Sequence, residues 1–411
     1  MERALTRPQV AHWRTAVFAI FLVSGLSIAT WASRVPDIKL ALGVDNFQIG
    51  LLFLGTGGGS IIGLSLSPVL LARLGGRRAM RIMGTIMAGS MLLIGLGTDV
   101  LHSYFVVAVA LTLMGFGGGS LDVMMNVEGA AIEKEIGRTI LPLFHAFFSV
   151  GTVVGAGIGV AAAAAHVAVG LHMVVMGSAI VLAIWWSLLY VPVRHSTMDP
   201  EADEVRPPWR ERLHTALEAW REPRTYALGV VMLGMAFAEG SANDWLALGI
   251  VEGHQGTAAL GAAGLTVFSL SMTIVRVFGG PLVDRFGRVN TLRVLAVLAT
   301  VGMLLFILAP TLPLVFVGAA LWGAGASLGF PLGMSAAADD PEKAAARVSA
   351  TATIGYLSFL CGPPVLGFVS EHIGLLNTLY IIVVLVVASG LFSSAARPIA
   401  GSQVGAGHQH G

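Results

Sequence analysis

A chain of 411 residues with 55% hydrophobic and only 11% charged residues lacks the polar surface to face water on all sides, since soluble chains carry about 25% charged residues. The formal net charge of +1 excludes an electrostatic nucleic-acid role. A single cysteine, Cys361, excludes an intrachain disulfide and a cysteine-based metal cluster.

Crossing ~30 Å of hydrocarbon takes about 20 apolar residues. Such runs occur at 14–33, 47–71, 79–97, 101–128, 140–163 and 168–191. After a polar interval they resume at 225–247, 258–282, 290–309, 312–336, 347–369 and 375–395. The first follows Arg3, Arg7 and Arg14 and has no small-residue cleavage site, so it reads as a span rather than a signal peptide. Continuous runs of this length predict helices, because barrel strands are shorter and alternate.

With the N-terminus in the cytoplasm, 21 of the 24 Lys and Arg residues fall in cytoplasmic segments, and only Arg34 and Lys39 lie in outer loops. The positive-inside bias then predicts twelve spans with both termini cytoplasmic in the cell (inner) membrane. Residues 194–224 hold 13 of the 47 charged residues and read as a cytoplasmic linker. It would separate a six-helix bundle at 1–193 from another at 225–396, with a disordered tail at 397–411. Trp209 to Trp220 has the pattern of an amphipathic surface helix.

An ionisable group at the centre of a span costs about 2.5–3.5 kcal/mol on insertion scales and is a functional candidate by default. Taken in order, Trp31, Arg34 and Pro36 close the first span, where Arg34 would guard the outer mouth or snorkel. In the fourth span Asp122 and Asn126 are four residues apart and share a face. Gly117, Gly118, Gly119 and Ser120 precede them and admit a close neighbour. Asp122 is the candidate proton-coupling acid, against a plain structural hydrogen bond. Glu128 is six residues on and either functions with it or pairs with Lys134 or Arg138. His145 titrates near neutrality and could pair with Glu128 or Asp122. In the seventh span Glu239 and Asn243 share a face that could line a cavity, followed by Asp244 and Trp245, the latter suited to the membrane interface. The ends of the first and seventh spans, Trp31–Pro36 and Glu239–Trp245, are the expected broken segments. Arg276 needs a partner, most naturally an internal gate ion pair. The rows Gly55, Gly59, Gly63 and Gly151, Gly155, Gly159 permit close helix crossings. Gly362-Pro363-Pro364 predicts a kink. No Walker A sequence or His-Glu-x-x-His is present, and there is no convincing catalytic serine elbow. The expectation is therefore no enzyme, no cofactor and no metal; His408 and His410 are too few for a site.

The loop Pro68–Arg77 returns as Gly280–Arg288, with Arg73 and Arg285 set 212 residues apart. Gly280-x-Leu282-x-Asp284-Arg285-x-Gly287-Arg288 closely resembles the loop signature of the major facilitator superfamily. The first copy is degraded, with Ala72 in place of the acid. The resemblance implies an all-α membrane fold of two six-helix bundles around a cavity. It also implies a cytoplasmic latch at Asp284, Arg285 and Arg288, with Arg73 in the weaker copy. Gly117–Asn126 resembles the acidic motif of the fucose–proton symporter branch, which would put Asp122 and Asn126 at substrate and protons. The implied function is proton-coupled transport of a small, neutral, sugar-like or amphipathic solute by a monomer in the bilayer. The alternatives are a proton-antiport exporter and a non-transporting membrane receptor.

Overall fold

The structure, a computed structural model, describes residues 6–136, 140–192, 218–340 and 344–398. The expected surface helix at Trp209–Trp220 lies largely outside the described residues, as do Lys343, Arg138 and the tail beyond Pro398.

Among the described residues twelve helices are long and apolar enough to cross a membrane, the number read from the apolar runs. In chain order the helices are α1 (Arg7–Ala32), α2 (Val35–Leu42), α3 (Asn46–Leu74), α4 (Gly76–Gly95), α5 (Tyr104–Ile136), α6 (Leu141–Ala164), α7 (Val169–Leu188), α8 (Pro223–Leu248), α9 (Ala258–Val277), α10 (Gly279–Leu308), α11 (Leu312–Ala326), α12 (Gly329–Ala337), α13 (Ala344–Ile373), α14 (Leu375–Thr378) and α15 (Tyr380–Phe392). The short α2 is an extra turn after the first span. Helices α11 and α12 are two pieces of the tenth span, and α14 and α15 belong to the twelfth. The third and seventh spans end in single π-turns, Leu96–Val100 and Gly249–Gly253.

Local sequence accounts for several boundaries. Asp45 caps α3: its Oδ1 accepts from the Gln48 N–H at 2.7 Å, and Gln48 Oε1 accepts from the Asp45 N–H at 3.1 Å. This reciprocal box satisfies two orphan donors. The first span breaks at Ser33–Arg34, as expected. The seventh does not break at Glu239–Trp245. It runs as regular helix to Leu248, because no proline interrupts its backbone ladder. The ninth span begins earlier than its apolar run, at Gly279. The loop signature is itself helical, and only Gly287 leaves helical torsions. Gly287 has φ 75° and ψ 159°. Gly75, which lies 212 residues earlier, has φ 74° and ψ 153°. The repeat seen in the loops is therefore a repeat of one backbone joint, in a region that only glycine enters without strain.

The chain divides into two compact units. One comprises Met1–Glu201, Asn243–Leu270 and Pro363–Leu375; the other comprises Ala202–Ala242, Ser271–Gly362 and Leu376–Gly411. In the first unit the glycine rows do what their spacing suggests. A Cβ on Gly25 would lie 2.0 Å from the Phe148 carbonyl, and one on Gly151 would lie 2.0 Å from that of Leu22, so α1 and α6 touch backbone to backbone. Gly59 and Gly63 on α3 meet the Thr112 and Phe116 carbonyls of α5 at 2.2 and 2.3 Å in the same sense. Near Asn46 and Gly50, α3 packs against Gly367 and Pro363 of α13. In the second unit, buried Trp322 donates from Nε1 to the Ala238 carbonyl at 3.0 Å. Leu228, Val231, Leu292, Ala336, Ala337 and Ala396 form its core near the chain's second charged end. Cys361 is exposed on α13.

The two joints make a stability prediction. Gly75→Ala and Gly287→Ala should each cost about 1–3 kcal/mol. Gly280→Ala should be near neutral, because a Cβ there meets nothing within 4 Å. Thermal unfolding of the purified variants in detergent checks this; equal effects at Gly280 and Gly287 would contradict it.

Candidate functional site

Several polar clusters interrupt the apolar interior among the described residues, each within one unit. The first is on α5 and α6. Asn126 donates from Nδ2 to the Asp122 carbonyl at 2.8 Å and stands 3.4 Å from Asp122 Oδ1. Its Oδ1 is 3.0 Å from His145 Nε2. An amide oxygen only accepts, so the assigned geometry requires the proton of His145 on Nε2. The amide nitrogen is then left to face Asp122. The order Asp122–Asn126–His145 is a directed hydrogen-bond chain. His145 thus meets Asn126, which lies one turn beyond Asp122 on the same face. Its ring also stands edge-on to Phe21, with centroids 5.2 Å apart. Asp122 itself is exposed. A carboxylate open to lipid would be costly, so its open side reads as water-accessible.

Glu128 points elsewhere. It is buried, and its Oε2 accepts from Trp13 Nε1 at 2.9 Å. Its Oε1 lies 2.9 Å from where a Cβ on Gly76 would stand, so the first residue of α4 must be small. Of the expected basic partners, Arg138 and the side chain of Lys134 lie outside the described residues.

The second cluster surrounds the break after α1. Arg34 is 3% exposed. Its Nε donates to Asp37 Oδ2 at 2.6 Å, Nη2 donates to the Val167 carbonyl at 2.8 Å, and Nη1 lies 3.4 Å from His172 Nδ1. It neutralises Asp37 and ties α2 to the α6–α7 turn. Trp31 is buried against Phe53, which also meets Trp245. Trp245 is fully buried rather than interfacial. Asp244 and Asn243 are half-buried beside it, and Asp244 forms no hydrogen bond or ion pair among the described residues.

Sequence reasoning missed a further group, on Lys39, Asn46, Glu252 and Glu371. Lys39 forms an ion pair with Glu252 and donates to Asn46 Oδ1 at 2.6 Å. Asn46 Nδ2 reaches Glu252 Oε2 at 3.3 Å, and its backbone N–H donates to Glu371 Oε1 at 2.7 Å. The available signal was that Lys39 is one of only two outer bases.

The third cluster is in the other unit. Arg276 Nη2 donates to both carboxylate oxygens of Glu239, each at 2.8 Å, and Nε donates to the Ser327 carbonyl at 2.9 Å. In an unbroken helix that carbonyl would accept from the N–H of residue 331. Residue 331 is proline, which has no N–H and whose ring crowds the carbonyl four residues back. The tenth span breaks there, between α11 and α12, and Arg276 supplies the missing donor. The ion pair expected of Arg276 is thus made with Glu239.

At the Arg-rich end of this unit Arg288 pairs with Asp339 at 2.7 Å, and Arg224 pairs with the same acid at 3.0 Å. Arg347 pairs with Glu222 at 2.6 Å and Asp340 at 3.1 Å. Of the expected latch only Arg288 is engaged. Asp284, Arg285 and Arg73 are exposed and form no ion pair among the described residues. The acid that Arg288 meets is Asp339, not Asp284.

Comparison with known proteins agrees with this architecture. The model of the Major Facilitator Superfamily matches residues 16–355 and 245–406. The chain belongs to that family and is a multi-pass membrane transporter. It is similar to an uncharacterized transporter, y4wD, of Sinorhizobium fredii, at 31% identity over 382 residues, covering 90% of this chain and 93% of that one. A mutant of the nucleoside transporter NupG superposes with a TM-score of 0.76 at 14% identity, covering 95% of this chain and all of that one. The transporter FucP in its outward conformation superposes with 0.65 at 16% identity, covering 97% and 100%. At those identities the likeness is one of fold.

The break at Ser327 yields a second prediction. Arg276→Ala should cost about 2 kcal/mol, the scale of a charge-assisted hydrogen bond. In a Pro331→Ala background, where an N–H returns to the Ser327 carbonyl, the loss should shrink by about 0.5–2 kcal/mol. Strict additivity in a thermal-unfolding double-mutant cycle would refute the link.

Proposed function

We propose that this transporter moves a small neutral solute, sugar-like or amphipathic, across the bacterial cell membrane by alternating access coupled to protons. The observation that carries this reading is the directed chain Asp122–Asn126–His145. His145 fixes the Asn126 amide, and the amide fixes the carboxylate. Asp122 is thereby held in one orientation while its other side stays open to take up or release a proton. When it binds a proton the charge in the span disappears, which lowers the cost of moving that segment past hydrocarbon.

The neutral solute follows from charge accounting. Arg276 is answered by Glu239, and Arg34 by Asp37. Each of these two arginines is thereby matched by a carboxylate and does not select an anion. The solutes named for two fold neighbours, nucleosides and fucose, are also uncharged. Asp244 is the second candidate acid, since a half-buried carboxylate without a partner among the described residues is itself a functional signal. On this reading the halves at 1–193 and 225–396 are the alternating elements, which the 212-residue spacing of the glycine joints supports. One proton moving down 100 mV releases about 2.3 kcal/mol, or roughly 50-fold accumulation of an uncharged solute.

A thermal-shift screen of uncharged sugars and nucleosides selects the solute for proteoliposome assays. There Asp122→Asn should abolish uphill uptake while leaving counterflow exchange within about twofold. His145→Gln should slow uptake about tenfold, on the scale of one positioned hydrogen bond. Full uphill uptake by Asp122→Asn, with loss of it in Asp244→Asn, would transfer the coupling role to Asp244. The direction of proton movement on solute addition separates uptake from export.

A further inference from the structure

Helices α10 and α15 enclose a groove of about 490 Å³ lined by Arg293, Ala296, Val297, Thr300, Val301, Val387, Gly390 and Leu391. Its walls are exposed apolar side chains on membrane-spanning helices: Val297 is 61% and Leu391 74% exposed. Such faces lie against lipid hydrocarbon. What sets this one apart is the base at its end. Arg224, Arg276, Arg288 and Arg347 of the same unit each meet a carboxylate. Arg293 meets none among the described residues; its Nε reaches only Ser393 Oγ, at 3.2 Å.

The internal repeat supplies an independent comparison. The residue 212 places before Arg293 is Arg81. Its guanidinium is covered by Trp185, 5.6 Å from the ring centroid, and the indole Nε1 donates to Thr85 Oγ1 at 2.8 Å. The helix pairs meet at matching places. A Cβ on Gly84 would touch Ile184 at 2.9 Å, and one on Gly390 would touch Ala296, 212 residues after Gly84, at 3.1 Å. In the first half isoleucine and tryptophan side chains fill the cleft and cover the base. In the second half glycine stands at the crossing, so the cleft is open and the base uncovered.

We propose that this groove is a binding site for an anionic phospholipid. The Arg293 guanidinium takes the phosphate, and one acyl chain lies along Val297, Val301, Val387 and Leu391. From Arg293 to Val301 is eight residues, roughly 12 Å of helix. That is close to the ~15 Å depth of one leaflet's hydrocarbon, so a base at the interface and a chain below it are in register. Basic pockets between spans on the cytoplasmic side attract anionic headgroups, and the loop charges place Arg293 on that side. A purely apolar groove would take any lipid, whereas the uncovered base makes this one selective for charge.

Native mass spectrometry of the full chain in neutral detergent, titrated with phosphatidylglycerol or phosphatidylcholine, tests the site. Wild type should retain phosphatidylglycerol about tenfold better, the scale of one charge-assisted contact. Arg293→Gln should abolish the preference, and Leu391→Trp, which fills the cleft, should reduce binding of both lipids. Arg81→Gln should leave the preference intact. Glycerol 3-phosphate, which has the headgroup charge without the chains, should not compete. Equal retention of the two lipids by wild type, or an unchanged preference in Arg293→Gln, overturns the proposal. If Arg293→Gln does not fold, Leu391→Trp decides: reduced binding supports the site and unchanged binding refutes it.

Discussion

A backbone carbonyl inside a membrane has no water to turn to, and at Ser327 this chain loses the donor that a helix would provide. Pro331 removes the N–H and crowds the carbonyl, so the tenth span must break or find a substitute. Arg276 is that substitute. A guanidinium in a span is in turn too expensive to leave unanswered, and Glu239 answers it with both carboxylate oxygens. One proline thus accounts for a base and an acid on two other helices. It also makes a polar cluster that looks functional partly a matter of backbone satisfaction.

The other half solves the same position differently. Its fourth span, α5, is unbroken and needs no borrowed donor, so its acid is free for other work. Asp122 is oriented by an amide and an imidazole rather than neutralised by a base. A neutralised acid holds structure, whereas an oriented, water-facing acid can change its protonation at little structural cost. In one unit Glu239 is held by a base, and in the other Asp122 is met by an amide.

Much of this was legible in the sequence because it rests on rules with few exceptions. Twelve apolar runs gave twelve spanning helices, since hydrocarbon thickness sets their length. The glycine rows became backbone contacts because nothing larger fits. What was not legible depends on which side chains meet across helices. The partner of Arg288 is Asp339, more than fifty residues from it, while the acid of the loop signature, Asp284, stays exposed. The three partners of Arg34, which are Asp37, Val167 and His172, are likewise not apparent from its place in a loop. The Pro331–Ser327 break was readable from the four-residue spacing alone. The cluster of Lys39, Asn46, Glu252 and Glu371 includes a hydrogen bond between residues 325 apart, which no local pattern reports.

The single thiol has a practical side. Cys361 is exposed two residues before Pro363, the point at which α13 passes from one compact unit to the other. The native chain therefore carries one chemical handle, at a joint, without any residue having to be removed. Its reactivity toward membrane-impermeant reagents reads directly whether that face of α13 is wetted or greased, and a fluorophore attached there reports on the joint itself.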